Sequence, residues 1–134
     1  MADPGVDGAV AAATYFLSLY PYVYNTGDLT AWKALSHPEC VFCASVVTDV
    51  DEMHALGQRQ EGTALTLVPR GGAEIELGAW FSVQLDVAQA EWTVVDRQGQ
   101  SVRSGPAQKY AFTLSVVRDS ERWTIRAAEA TPSA

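Results

Sequence analysis

The spacing of hydrophobic residues divides the chain into two parts that meet at Gly57. Before Gly57, apolar residues recur every three or four positions, which is the spacing of helices that bury one face. After Gly57, apolar and polar residues alternate, most regularly over residues 81–88 and 110–118, as in strands that bury one face. Helices followed by a run of strands predict an α+β fold, in which the N-terminal helices pack in the concave face of a curved, mostly antiparallel sheet.

Three helices are predicted in the first part of the chain, over residues 4–24, over residues 29–35, and from residue 39 or 41 to residue 56. Pro21 lies within the first of them and has no N–H to donate, so it predicts either a kink or the start of a new turn. The break after this helix falls at Gly27, a residue type that adopts a positive φ without strain.

The chain is predicted to be one domain. Its 134 residues are within the ordinary size of a single domain, and no linker is long enough to separate two. The helical part is predicted over about 4–57 and the sheet over about 60–129. The last residues, 130–134, are predicted to form a frayed tail.

The charge distribution argues against a nucleic-acid partner. The formal net charge is −7, and residues 1–57 carry seven acidic residues and one basic residue. The basic residues do not cluster, so the sequence lacks the cationic surface that nucleic acids and anionic membranes attract. No apolar run approaches the ~20 residues needed to cross a bilayer, so no transmembrane segment is expected in this chain.

Cys40 and Cys43, the two cysteines of the chain, form a C-x-x-C motif at the predicted start of the third helix. A structural disulfide in an exported protein is the leading interpretation, although closing so small a loop contributes only about 2 kcal/mol in the chain-entropy model. A redox-active dithiol is the second, because a helix N-terminus favours the thiolate. Thioredoxin-like proteins, however, place the motif after a strand of a βαβ unit, and here every predicted strand comes later.

A metal site is the third interpretation of the cysteine pair. The side chains of His37, Cys40, Cys43 and His54 are of types that bind zinc, and the two cysteines have the spacing of a zinc knuckle. A Cys₂His₂ site usually takes its other two ligands from a closely spaced pair of histidines, which this sequence lacks. The leading interpretation therefore includes no metal and no cofactor.

Aromatic residues indicate where a small molecule could bind. A bent sheet with helices across its concave face leaves a cavity between them, which is a usual position for a small-molecule site. The candidate binding residues are Tyr15, Tyr22, Trp32, Trp80 and Phe112. Packing in the core is the alternative explanation of the same aromatic side chains.

Two acidic residues are candidates for a catalytic base. Asp86 lies in a well-defined strand pattern and points outward if the apolar positions of that strand face the helices. A bulge would reverse this register and place Asp86 in the cavity, where burial would raise its pKa. Asp49 is the other candidate, with Tyr15 as a hydrogen-bond donor. The sequence leaves both registers open, and it contains no nucleophile elbow or phosphate-binding loop.

Two motifs resemble those of a known family. The first is Tyr-x-x-x-Thr-Gly-Asp at residues 22–28, and the second is Ser-x-Pro-Glu-Cys-x-x-Cys at residues 36–43. Together with Val-Asp-x-x-Gly at residues 95–99 and Trp-Thr-Ile at 123–125, they cover nearly the whole chain. The pattern resembles an uncharacterised actinobacterial exported lipoprotein family whose domains are similar to nuclear transport factor 2, SnoaL and ketosteroid isomerase.

The resemblance implies a cone-shaped α+β domain that is exported and anchored to the cell envelope through a lipidated cysteine upstream of this sequence. The enzymes of the superfamily carry an acidic base and a Tyr/Asp pair inside the cone, but none of these positions can be matched to a residue here. Many members have no catalytic activity, so the shared fold says little about activity.

The leading functional hypothesis is a non-catalytic extracytoplasmic module that binds a small hydrophobic molecule or a protein partner. An isomerase, cyclase or hydrolase acting on a hydrophobic substrate in the cone is the alternative. A homodimer through the open sheet face is a further prediction, because Trp92 and Val94 give the outer strand positions a moderately apolar character.

Overall fold

Three α-helices precede seven β-strands in the computed structural model, which describes residues 5–62 and 64–133. The helices are α1 (Val6–Thr26), α2 (Thr30–Leu35) and α3 (Val41–Ala55). The strands are β1 (Arg59–Glu61), β2 (Leu65–Glu76), β3 (Trp80–Gln89), β4 (Trp92–Val95), β5 (Ser101–Gly105), β6 (Gln108–Asp119) and β7 (Arg122–Pro132). This order confirms the predicted α+β class, and the change from helices to strands falls at Gly57 as the hydrophobic pattern indicated.

Helix α1 passes through Pro21 and ends at Gly27. The predicted new turn at Pro21 is wrong, because α1 continues as one helix to Thr26; a proline one turn from a helix end removes a single hydrogen bond. Gly27 adopts a φ of 77° and its N–H donates to the carbonyl of Val23, which is the predicted helix stop. Residue 4, the predicted first residue of α1, lies outside the described part of the chain. None of the described helices is long and apolar enough to cross a membrane.

The strands form two antiparallel sheets where one was predicted. The larger has the order β2-β3-β6-β7, and the smaller has the order β1-β4-β5. The chain passes from the small sheet at β1 to the large sheet at β2 and β3, returns to the small sheet at β4 and β5, and ends in the large sheet at β6 and β7. The periodicity of two marks strands but not their partners, so it could not separate the two sheets.

Strand β3 has the register in which its apolar residues face the helices. Phe81, Val83, Leu85 and Val87 are buried, and Asp86 belongs to the opposite face. The register shifts of the β2–β3 pair lie in β2, between Pro69 and Gly71 and between Glu74 and Glu76. Strand β3 pairs with β6 without interruption, so the reversed register that the sequence left open does not occur.

Residues 130–132 belong to strand β7, so the predicted frayed tail is wrong there. Pro132 pairs with Tyr110 of β6, and the N–H of Ser133 donates to the carbonyl of Lys109 at 2.9 Å. The segment lacks a strong apolar alternation, and its extended form comes from pairing with β6. Residue 134 lies outside the described part of the chain.

The core lies between the helices and the large sheet. Trp32 of α2 is fully buried, and its ring stacks on that of Phe16 at a centroid distance of 3.9 Å. Burying a side chain such as Phe16 contributes about 1.5–3 kcal/mol. Val94 is also fully buried, and the ring of Trp92 covers Gly105. Of the two residues that suggested a homodimer through the sheet face, Val94 is therefore enclosed in the core and Trp92 is half-buried.

Candidate functional site

A disulfide joins Cys40 and Cys43, with an S–S distance of 2.05 Å, so the predicted disulfide is confirmed. Both residues are buried, and the Cys40 Sγ accepts a hydrogen bond from the N–H of Cys43, which caps the start of α3. The Trp32 Nε1–H donates to the carbonyl of Cys43 at 3.1 Å, and the N–H of His37 donates to the carbonyl of Ile125 at 3.0 Å. These contacts tie the beginning of α3 to α2 on one side and to β7 on the other.

The four residues of the alternative metal site are not brought together. The cysteine sulfurs bond to each other, and the Nδ1 of His37 accepts a hydrogen bond from the N–H of Glu39 at 3.0 Å. His54 lies at the other end of α3, where its Nε2 donates to the carbonyl of Tyr24 at 3.1 Å. Within residues 5–62 and 64–133, no group of three or more His, Cys, Asp or Glu side chains has the arrangement of a metal site.

An apolar cavity of about 200 Å³ lies between the helices and one end of the large sheet. The strand residues in its wall come from the start of β2, the end of β3, the start of β6 and the end of β7, so the cavity opens at this end of the sheet. Two helices complete the wall. The lining residues are Leu17, Tyr20, Phe42, Leu65, Val87, Gln89, Tyr110, Phe112 and Ala130.

Each helical residue of the cavity wall is fixed by the local structure. Leu17 and Tyr20 are three residues apart on α1 and therefore lie on the same face of the helix. Phe42 is in the first turn of α3, next to the disulfide that fixes this turn. The ring of Phe42 meets that of Phe112 edge-on at 6.0 Å, and Phe112 meets Tyr110 in the same manner at 6.2 Å. The aromatic part of the wall is thus a connected group.

Of the five aromatic residues predicted to bind a ligand, the structure places Phe112 in the cavity wall. Trp32 is wholly enclosed in the core. Tyr15 and Tyr22 are 43% and 45% exposed on α1, and the Tyr22 hydroxyl donates to Asp28 Oδ2 at 2.8 Å. This hydrogen bond to a carboxylate raises the pKa of Tyr22.

Trp80 lies on the outer face of the large sheet, opposite the cavity. The guanidinium of Arg126 stacks over its ring, 4.7 Å from the centroid. Its register position on β3 places it on the same face as Ser82 and Asp86. The fifth predicted binding residue is therefore a surface aromatic residue covered by an arginine.

The catalytic candidates occupy three separate places. Asp86 is on the outer sheet face, where its carboxylate accepts from Arg70 at 2.9 Å. Tyr15 is an exposed residue of α1 and does not line the cavity. Asp49 is on α3, where its Oδ2 accepts a hydrogen bond from the Tyr24 hydroxyl at 3.4 Å. Asp49 is thus connected to the cavity wall through Tyr24 and its neighbour Tyr20.

Tyr20 and Tyr24, which sequence reasoning missed as site residues, lie one helical turn apart on α1 with ring centroids 4.7 Å apart. Burial raises the pKa of the Tyr20 hydroxyl, and the hydroxyl of Tyr24 partly offsets this effect. Burial also raises the pKa of Tyr24, and the neighbouring Tyr20 and Asp49 raise it further. Their spacing of four residues was the available signal, but it did not distinguish them from Tyr15 and Tyr22.

Solved structures of other proteins share this fold at low sequence identity. The intermembrane space region of the chloroplast protein ARC6 superposes with a TM-score of 0.76 at 10% identity, covering 96% of this chain and 98% of that one. An uncharacterised protein with a cystatin-like fold from Caulobacter vibrioides gives a TM-score of 0.55 at 13% identity, covering 95% and 91%. A periplasmic fragment of TraM gives 0.52 at 13% identity, covering 92% and 97%. At these identities the likeness shows a common fold and carries no function.

The sequence itself places the chain in a family. No curated protein matches it significantly. A family model described as a family of unknown function, DUF6318, matches residues 1–129 and so covers nearly all of the chain. This member has an α+β cone fold in which the helices pack against an antiparallel sheet. A local disulfide joins two residues at the start of α3. The chain belongs to the DUF6318 family.

Proposed function

We propose that this chain is a non-catalytic, extracytoplasmic binding module whose cavity holds a small hydrophobic molecule. The observation that supports it is the apolar cavity of about 200 Å³ at the open end of the large sheet. An engineered apolar cavity of about 150 Å³ holds one benzene molecule, so this volume suits one ring-sized group. Drug-sized ligands occupy pockets of about 300–1,000 Å³, so we infer a smaller molecule or one end of a longer one.

The chemistry of the wall supports binding more than catalysis. Its polar groups are the amide of Gln89 and the hydroxyls of Tyr20 and Tyr110, and none of the nine lining residues is a carboxylate or a histidine. A few polar groups in an apolar wall orient a ligand. A general base would have to lie within hydrogen-bonding reach of the ligand. An isomerase, cyclase or hydrolase stays the alternative function, with Asp49 as its acidic group.

The disulfide supports the extracytoplasmic location. Cysteine pairs stay reduced in most cytosolic proteins and form disulfides in secreted and periplasmic ones. Anchoring to the cell envelope through residues outside this sequence is part of the proposal. Alkylating free thiols in intact cells before lysis tests the location, because Cys40 and Cys43 should then escape labelling. Labelling of both would contradict it.

Ligand-observed ¹⁹F NMR with 4-fluorotoluene tests the binding function. Ala130 and Ala127 are both exposed residues of β7, and of the two only Ala130 lines the cavity. Ala130→Phe should fill the cavity and weaken binding about tenfold or more, because it removes the contacts of a ring-sized ligand. Ala127→Phe is the matched control and should bind as the wild type does.

The outcomes of this test are distinct. Saturable binding by the wild type and by Ala127→Phe, with loss in Ala130→Phe, supports a ligand in this cavity. Failure of the wild-type chain to bind the probe up to its solubility limit would overturn the proposed small-molecule site and favour a protein partner. Equal binding by all three proteins would show that the probe binds elsewhere.

A further inference from the structure

Aromatic rings form a large share of the cavity wall. Four of its nine lining residues are aromatic, and all four are half-buried: Tyr20, Phe42, Tyr110 and Phe112. The Phe112 ring meets the Phe42 ring at an interplanar angle of 76° and the Tyr110 ring at 69°. Rings at such angles form adjoining sides of a space instead of a stack, so more than one of them can contact the same ligand. This inference rests on the proposed function, because it names the ligand class of the same cavity.

The charge next to this wall is negative. Among the described residues that line the cavity, none is a lysine or an arginine. Lys109 adjoins Tyr110 in β6, but it belongs to the outer face of the sheet because successive strand residues point to opposite faces. On the helical side, the Oδ2 of Asp49 accepts a hydrogen bond from the Tyr24 hydroxyl at 3.4 Å. Burial is the largest cause that raises the pKa of Tyr20, and the negative charge of Asp49 is a smaller one, so this charge acts on the wall.

An aromatic wall beside an acidic charge favours a cation over a neutral molecule of the same shape. The face of an aromatic ring attracts a cation, and the attraction is stronger where water is excluded. A quaternary ammonium group has no N–H that needs an acceptor, and its outer surface consists of methyl groups, which suit an apolar cavity. We propose that the cavity binds a quaternary ammonium group, held by the rings of the wall and by the charge of Asp49.

The other kinds of charged group fit this wall less well. A primary ammonium or a guanidinium brings three to five N–H donors, and burying them without acceptors is costly. The wall offers few acceptors, namely the amide oxygen of Gln89 and the hydroxyls of Tyr20 and Tyr110. An anion would be repelled by Asp49 and would find no basic side chain among the lining residues that the structure describes. A neutral molecule is the remaining alternative, and its affinity would not depend on charge.

Two probes of the same shape separate charge from size. Choline and 3,3-dimethylbutan-1-ol differ only in that carbon replaces the quaternary nitrogen. Titrations followed by ¹H saturation-transfer NMR give the dissociation constants of both probes, and 4-fluorotoluene is measured on the same proteins. The quantity compared is the affinity for choline divided by the affinity for the alcohol, because a loss that is merely structural weakens both and leaves this ratio unchanged.

Two variants of the wall are each measured with a matched control. Phe112→Leu removes a ring and keeps an apolar side chain, and Tyr15→Leu removes an exposed ring outside the wall. Asp49→Asn removes the acidic charge beside the wall. Asp51→Asn removes an equal charge from an exposed position two residues further along α3. Near-ultraviolet circular dichroism verifies that each variant is folded.

The expected result is a preference for choline that depends on the wall. In the wild type the affinity ratio should be about fivefold or more, the effect of a cation–π attraction of about 1 kcal/mol. The ratio should fall at least about twofold in Phe112→Leu and in Asp49→Asn, because each removes one part of the attraction. It should stay at the wild-type value in Tyr15→Leu and in Asp51→Asn.

Glycerophosphocholine separates two sources of the same chemistry, a free organic cation and the head group of a lipid. It carries the quaternary ammonium group of choline beside a phosphate. Because the chain has a formal net charge of −7, we expect the phosphate to be repelled and choline to bind more tightly. Binding as tight as that of choline would support the quaternary ammonium site and identify a lipid head group as its source.

The contrary outcomes are distinct from one another. An affinity ratio near one in the wild type would overturn the quaternary ammonium site. A preference for choline that stays unchanged in both Phe112→Leu and Asp49→Asn would also overturn it, because the cation would then bind elsewhere on this acidic protein. If 4-fluorotoluene and the alcohol bind and choline does not, the binding function stands and only this inference fails. Absence of binding by all three probes would overturn the binding function itself.

Discussion

One group of aromatic side chains packs against the core on one side and borders empty space on the other. On one side Tyr20 and Phe42 face Trp32, with ring centroids 6.4 and 6.1 Å away, and Trp32 is fully enclosed. On the other side the same two residues line the cavity. Protein interiors normally pack without voids larger than a water molecule. The filled side therefore serves stability, and the unfilled side, which departs from this rule, is where the proposed ligand would bind.

Truncation on the two sides should have unequal effects on stability. Trp32→Ala should lower the free energy of unfolding by about 3–5 kcal/mol, the usual cost of deleting a large buried aromatic side chain. Phe112→Ala should cost clearly less, because Phe112 already borders empty space. Urea denaturation followed by tryptophan fluorescence, with circular dichroism for Trp32→Ala, measures both. Equal losses in the free energy of unfolding would contradict the distinction between a filled and an unfilled side.

The disulfide should support both sides, because it fixes the turn that carries Phe42. The double variant Cys40→Ala/Cys43→Ala should lose about 2 kcal/mol of stability in the chain-entropy model. Reductant should lower the stability of the wild type by a similar amount and leave the double variant unchanged, which is the control. The affinity for 4-fluorotoluene should fall in parallel. A stability loss with unaltered binding would show that Phe42 keeps its position without the disulfide.

Asp86 lies on neither side of this aromatic group, and we expect it to contribute little to stability or to binding. Its ion pair with Arg70 joins two side chains that are 48% and 64% exposed, and exposed pairs contribute about 0–1 kcal/mol. Asp86→Asn should therefore leave probe binding unchanged and lower the free energy of unfolding by less than about 1 kcal/mol. Asp86→Ala is the companion variant. A large loss of binding in either variant would show that Asp86 is a functional residue.

The smallest effect concerns the exposed end of α1. The backbone N–H of Thr30 and the hydroxyl of Tyr22 both donate to Asp28 and lower its pKa below the ordinary aspartate value. Because the pKa is lowered in the folded state, this contribution to stability is present above the unfolded pKa and is lost as the pH falls through the folded one. Tyr22→Phe should move the Asp28 titration, followed by ¹³C NMR of the carboxyl carbon, part of the way back. An unmoved titration would leave the Thr30 N–H as the sole cause.

The order of helices and strands could be predicted from the sequence because it depends on local periodicity. The alternation around Phe81 and Leu85 marked β3 as a strand, and of the two registers left open the structure has the one that buries these residues. Gly27 and Gly57 marked element ends. The division into two sheets and the extension of β7 to Pro132 were not readable, because pairing between distant strands decides them. The placement of Val94 on the open sheet face was wrong for the same reason, since the structure buries this residue.

The cavity was harder to predict than the fold. Its wall joins residues from α1, α3 and four strands, and which aromatic side chains remain uncovered depends on how these elements pack. Helical spacing placed Tyr15, Tyr20, Tyr22 and Tyr24 on one element but could not say which faced the sheet. The contact between Tyr24 and Asp49 spans 25 positions, beyond any local pattern. The disulfide was predictable because its two cysteines are three residues apart.

The contact of the α2–α3 loop with β7 has a consequence for solubility. Strand β7 is an edge of the large sheet, and unpaired strand edges invite pairing between molecules. Ser36 forms a parallel bridge with Ile125, and the N–H of His37 occupies the Ile125 carbonyl, so the loop shields part of this edge. The disulfide begins three residues further along and holds the loop in place. We therefore expect reduction of the disulfide to expose strand backbone as well as thiols and so to promote self-association.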